Sequence, residues 1–172
     1  FADGNPAARL LVLGEAPGRE EDIEGRPFVG RAGQLLDRMF AAIGLSRQSP
    51  DAQSALYITN VLPWRPPGNR TPTPQGAQVC RPFLERQVEL VAPDVLVLLG
   101  GAAAKHIFDV PEGIMRVRGK FRDVTIGART VRALATLWCR QLSARQAWHG
   151  RSHRNFIGWS TTTGGGARRE RA

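Results

Sequence analysis

The sequence has almost no cysteine, only Cys80 and Cys139 among 172 residues. Two thiols make no disulfide scaffold, and a reducing cytosol is the expected compartment. Long apolar runs are missing too. No stretch approaches the roughly 18–20 residues needed to span a bilayer, so no membrane segment is expected. A secretory leader is not visible either: the chain opens Phe1-Ala2-Asp3-Gly4-Asn5-Pro6, without Met and without an apolar core segment. A start without Met leads to the expectation that residue 1 is a cut edge with something missing upstream.

Acids are scarce in one region only. Residues 138–172 hold seven arginines and a single acid, Glu170, giving +6 of the total +9. Residues 1–137 hold 17 basic and 14 acidic side chains, giving +3. A basic patch attracts DNA phosphate through counterion release, but a loose basic tail says little about the domain that precedes it. From Trp138 the composition shifts to Trp, Arg, Ser, Thr and Gly, and residues 161–172 read as disordered. The tail is either a natural basic extension or the product of a frameshift near Leu137, and the second reading is preferred. The expected organisation is therefore a domain over residues 1–137 and an anomalous tail over residues 138–172.

What is present is enough for one domain with a buried sheet. Ala8-Arg9-Leu10-Leu11-Val12-Leu13, stopped by Gly14, reads as a buried parallel strand. Residues 15–31 read as a loop. Leu35, Leu36, Met39, Phe40 and Ile43 have helical spacing, closed by Gly44. Further strands are expected over residues 55–59, 94–99 and 130–137, with helices over about 75–91 and from Gly101 through Phe108. Residues 117–126 read as a short hairpin. Strand and helix alternating predict an α/β fold: three α/β/α layers around a central, mainly parallel four-stranded sheet. In such folds ligands bind at the carboxyl ends of the strands, which singles out the loops after Leu13 and Thr59.

Four pieces of those loops carry candidate chemistry. Gly14-Glu15-Ala16-Pro17-Gly18 lets backbone approach a ligand closely, although it also suits an ordinary strand-to-helix turn. Phe28, within Gly25-Arg26-Pro27-Phe28-Val29-Gly30, is either a staple for its loop or a ring that stacks on a flipped base. Asn60 offers one acceptor and two donors, fit to cap a turn or to read a base edge. Arg65 and Arg70 lie in a stiff Pro-rich loop, where they either meet phosphates or stay solvated. A nucleotide-binding flavodoxin-like domain would need a Gly-rich phosphate cradle of the usual spacing, and none is present.

Taken together and in this order, these pieces resemble the family-four uracil-DNA glycosylases. The Ala32-Gly33-Gln34-Leu35-Leu36-Asp37 helix start, Thr59-Asn60-Val61, Arg65-Pro66-Pro67-Gly68-Asn69-Arg70 and Cys80-Arg81-Pro82-Phe83-Leu84 extend the similarity over residues 8–137. The resemblance implies an enzyme that rotates uracil out of the DNA stack and hydrolyses its bond to the sugar. It implies that Phe28 stacks on the uracil, that Asn60 bonds its polar edge, and that Glu15 with the backbone around Ala16 holds the catalytic water. Asn69 would support the pocket. The implied partner is uracil-containing DNA, single- or double-stranded, met by a monomer.

The chain departs from the family in three places. The family's His-Pro segment after the last core strand is absent, since Leu137 runs into Trp138-Cys139-Arg140, and His149 and His153 are too distant to replace it. A chain so altered is alternatively a catalytically impaired module that binds uracil or DNA. The resemblance also implies a [4Fe-4S] cluster typical of the family and not required for catalysis. Here Cys80 matches one ligand position while Trp64 occupies another, so the cluster is not expected. In that case Trp64 fills the space apolarly and Cys80 is a small buried residue. Third, the basic insertion of a branch that bonds covalently to DNA is replaced here by Pro-Pro-Gly-Asn-Arg.

Overall fold

Leu10–Gly14 and Val95–Leu99 are nearly continuous apolar runs, and each, like Leu56–Asn60 with its buried Thr59 and Asn60, forms a strand buried on both faces. The computed structural model describes residues 1–70 and 72–137, apart from the side chains of Asn69 and Pro74. The expectations for residues 138–172, with Cys139, His149 and His153, lie outside the described residues.

Six strands make one sheet: β1 (Ala2–Gly4), β2 (Leu10–Gly14), β3 (Leu56–Asn60), β4 (Val95–Leu99), β5 (Phe121–Ile126) and β6 (Arg129–Thr136). Their order across the sheet is β1-β3-β2-β4-β6-β5. The inner four are mutually parallel, as expected. The four-stranded sheet read from the sequence is corrected at both edges, where β1 and β5 pair antiparallel to β3 and β6. The hairpin expected over residues 117–126 is displaced. Ile114–Val117 is a helical turn, and the hairpin instead joins β5 to β6 through Gly127, whose φ is +59°.

Alternation along the central strands sends side chains into two cores. Leu11, Leu13, Leu96 and Leu98 point to one face, where α3 (Pro74–Val91) and α4 (Gly101–Phe108) add Leu84, Val88, Ala103 and Ala104. Leu10, Val12, Val97 and Leu99 point to the other, covered by Leu36 and Phe40 of α2 (Arg31–Ala41). This is the expected three-layer arrangement. Truncating a buried ring such as Phe40 to Ala costs about 3–5 kcal/mol, so α2 is firmly seated beside the loop that precedes it. That loop contains a helix the sequence did not announce, α1 (Arg19–Glu24), which buries no residue. The short α5 (Ile114–Val117) completes the set. No helix among the described residues is long and apolar enough to cross a membrane.

Candidate functional site

Strands β2 and β3 end side by side, with Gly14 opposite Asn60 in the parallel register. The pairing continues past the strands: Val61 donates its N–H to the Gly14 carbonyl at 2.9 Å, and Leu62 donates to the Glu15 carbonyl at 3.0 Å. The two candidate loops therefore leave the sheet's carboxyl edge together. Glu15 and Ala16 are half-buried there and Pro17 is buried.

Gly14 is where distant residues meet. A methyl group on its Cα would overlap both the Asn60 side-chain oxygen and the Phe28 ring, so only glycine admits this convergence. Asn60 is 4% exposed, and its Oδ1 has no hydrogen-bond partner among the described residues. A buried acceptor without a donor costs about 1–3 kcal/mol. Few native groups are left so, and those that are call for an explanation. Phe28 is 8% exposed and belongs to the core under α2. Its φ of +56° is a left-handed conformation unusual for a bulky side chain.

The loop around Phe28 is held from two sides. The Glu21 carboxylate accepts from the N–H groups of Gly18, Val29 and Gly30 at 3.1–3.2 Å. The Arg47 guanidinium donates to the carbonyls of Pro27 at 2.9 Å and Phe28 at 3.0 Å, and to Asp37 and Asp3. Inside α2, Gly33 lies so close to the Phe28 carbonyl that any Cβ there would collide with it. Neither Glu21 nor Arg47 is evident from the sequence, where a Glu in an acidic run and an Arg after a turn both read as solvated. Gly33 alone left a trace, as part of the Ala-Gly-Gln motif.

Other expected site residues fall at various removes. Arg65 is half-buried and Arg70 exposed, on either side of a 3-10 turn over Pro67–Asn69, in which Gly68 has a φ of +65°. The Asn69 side chain lies outside the described residues. Across the edge, the Gly119 N–H bonds to the Ala135 carbonyl at 3.0 Å, which ties the segment of Arg116, Arg118 and Lys120 to the end of β6. None of these three cations has an ion pair among the described residues, whereas Arg9, Arg81 and Arg86 elsewhere are each paired with an acid.

Cys80 is 1% exposed on α3, and burial pushes its thiol pKa up. It is the small buried residue that was expected. Trp64 is 49% exposed and so does not fill apolar space among the described residues, which corrects the expectation. Among the described residues no three His, Cys, Asp or Glu side chains group as metal ligands. Cys80 is the one cysteine among the described residues, and a single thiolate does not by itself supply the four ligands of an iron-sulfur cluster.

The profile described as the uracil DNA glycosylase superfamily matches residues 1–157. A type-4 uracil-DNA glycosylase of Archaeoglobus fulgidus is 46% identical over 136 residues, covering 77% of this chain and 65% of that protein. One of Thermotoga maritima is 42% identical over 130 residues, covering 75% of this chain and 65% of that protein. A type-5 uracil-DNA glycosylase of Thermus thermophilus is 33% identical over 102 residues, covering 55% of this chain and 46% of that protein. The resemblance read from the motifs is borne out. The chain spans 65% of the length of the two type-4 relatives.

Proposed function

The chain belongs to the uracil DNA glycosylase superfamily, and on that footing we propose that it hydrolyses the bond between uracil and deoxyribose in single- or double-stranded DNA, the opening step of base-excision repair. The observation that carries the reading is the buried Oδ1 of Asn60 beside the Phe28 ring, left without a hydrogen-bond partner among the described residues. Uracil presents an N–H donor at N3 flanked by a carbonyl acceptor at C4. An Asn amide set against that edge accepts from N3–H through Oδ1 and donates to the C4 oxygen through Nδ2. Cytosine inverts both groups, with an acceptor at N3 and an amino donor at C4. In a dry pocket such a mismatch leaves two polar groups unpaired and rejects the base strongly.

Base stacking on an aromatic ring is worth about 1–3 kcal/mol, which helps offset the cost of taking the nucleotide out of the duplex. Phe28 serves that purpose in this reading. In this reading the catalytic water is held by Glu15 and the backbone at Ala16. Its oxygen bonds to the sugar carbon as the glycosidic bond breaks, uracil departs with the bonding electrons, and the water's proton is released. With Ala16 where other superfamily members carry Asp, the chemistry rests on stabilising the departing anion and the sugar cation rather than on a strong base. Arg65 and Arg70 meet phosphates, and Arg116, Arg118 and Lys120, which have no ion pair among the described residues, lie at the same edge. The enzyme is read as a cytosolic monomer.

The test is direct. A uracil-containing oligonucleotide incubated with the protein and then treated with alkali should break at the uracil position, while the matched cytosine strand stays intact. Retained binding with no strand breaks would overturn the hydrolase reading and leave a uracil-binding module, the outcome that the missing His-Pro segment makes worth testing.

A further inference from the structure

We propose that Arg47 is a positioning residue for the base-stacking ring: its guanidinium sets the backbone of Phe28 in the left-handed conformation that lays the ring against Gly14. The inference rests on the role given above to Phe28.

The two carbonyls Arg47 engages are those on either side of the Phe28 Cα. The orientation of those two peptide planes defines φ and ψ of Phe28. One planar group with its donors in a fixed fork holds both planes at once, which a flexible ammonium cannot do. The Phe28–Val29 plane is held from its other side as well, because Glu21 accepts the Val29 N–H. The guanidinium is itself oriented, by Asp37 at 2.8 Å and Asp3 at 3.0 Å, and the Arg47 side chain is 9% exposed. A φ of +56° is a conformation that phenylalanine avoids and glycine adopts freely, so it persists here because its surroundings impose it. Released, the backbone relaxes, the ring leaves Gly14, and the stacking surface is lost although Phe28 remains in the chain.

The experiment compares Arg47→Lys, Asp37→Asn and Arg47→Lys in a Phe28→Gly background, with three readouts beside the affinity for duplex carrying an abasic analogue. The first is the NMR shift of the Gly14 α-protons, displaced in the wild type by the current of the adjacent ring and independent of any ligand. The second is inhibition of strand cleavage by free uracil. The third is the thermal midpoint. In Arg47→Lys the Gly14 signal should move to the ordinary glycine position, and the uracil inhibition constant should rise at least tenfold. Affinity for duplex carrying an abasic analogue should stay within twofold. Asp37→Asn, which keeps the carbonyl bonds, should retain both the shift and the inhibition constant. The drop in midpoint caused by Arg47→Lys should shrink when residue 28 is glycine, which needs no clamp. An unmoved Gly14 signal, or an equal midpoint loss in both backgrounds, would overturn the proposal. If the wild type shows the displaced signal but neither binds nor excises uracil, the functional reading fails while the clamp stands.

Discussion

Phe28 and Asn60 close on the same point of the chain, the Cα of Gly14, one from a loop and the other from the end of β3. The missing side chain at that glycine is what lets a ring and an amide converge. Gly14→Ala should therefore fold, because the obstacles are side chains, but should splay the pair apart. A displacement of about 1 Å can cost on the order of 100-fold in rate, and a loss of that size in kcat/KM for uracil release is expected. Circular dichroism should be unchanged, and a fully active variant would show that the two residues do not work together.

Asn60→Asp removes both N–H donors of the side chain and leaves acceptors facing the C4 oxygen. Uracil release should fall by roughly 5–150-fold, the rate equivalent of one unpaired buried polar group. The preference over cytosine should shrink, since the carboxyl group no longer favours the uracil pattern. Parallel cleavage assays on uracil and cytosine strands measure both, and unaltered selectivity would remove Asn60 from the reading role.

Arg65 and Arg70 flank the stiff turn over Pro67–Asn69. If each meets a phosphate, Arg65→Ala and Arg70→Ala should each lower the slope of log K against log salt on duplex DNA by about 0.9. Turnover at saturating DNA should change little. A slope equal to that of the wild type would return these arginines to the solvent.

Burial, and secondarily the Lys105 charge, lower the pKa of His106 on α4 from its ordinary 6.5. Such a histidine takes up its proton less readily in the folded chain than in the unfolded one. Its contribution to stability is complete above pH 6.5 and drains as the pH falls from there through the lowered folded value. The thermal midpoint should drop between pH 7.5 and 5.5, and His106→Gln should lessen that drop. Identical pH profiles would mean that His106 is solvated alike in both states.

The inner strands were legible because burial on both faces demands unbroken apolar sequence, as in Leu10-Leu11-Val12-Leu13 and Val95–Leu99. β1 was not, because Ala2-Asp3-Gly4 has no strand-forming side chain and becomes a strand only by pairing with β3. Helix α1 was missed for a related reason: it buries nothing, so Arg19–Glu24 has no apolar period. Of the candidate site residues, Phe28 and Asn60 were singled out by motifs in the segments after β2 and at the end of β3, and the structure brings these two together at Gly14. Arg47 was invisible because every partner that gives it meaning, Asp3, Pro27, Phe28 and Asp37, is distant in sequence. A side chain whose role lies in bonds to distant backbone leaves no local pattern.

The parallel pairing of β2 with β3 has a kinetic consequence. Gly14 and Asn60 become neighbours only when strands separated by the whole of α1 and α2 zip together, and such non-local pairing forms late compared with helices. Helical signal should thus return early on refolding, with nothing yet able to grip a base. On the proposed reading, base recognition then switches on in one step, as the central sheet closes.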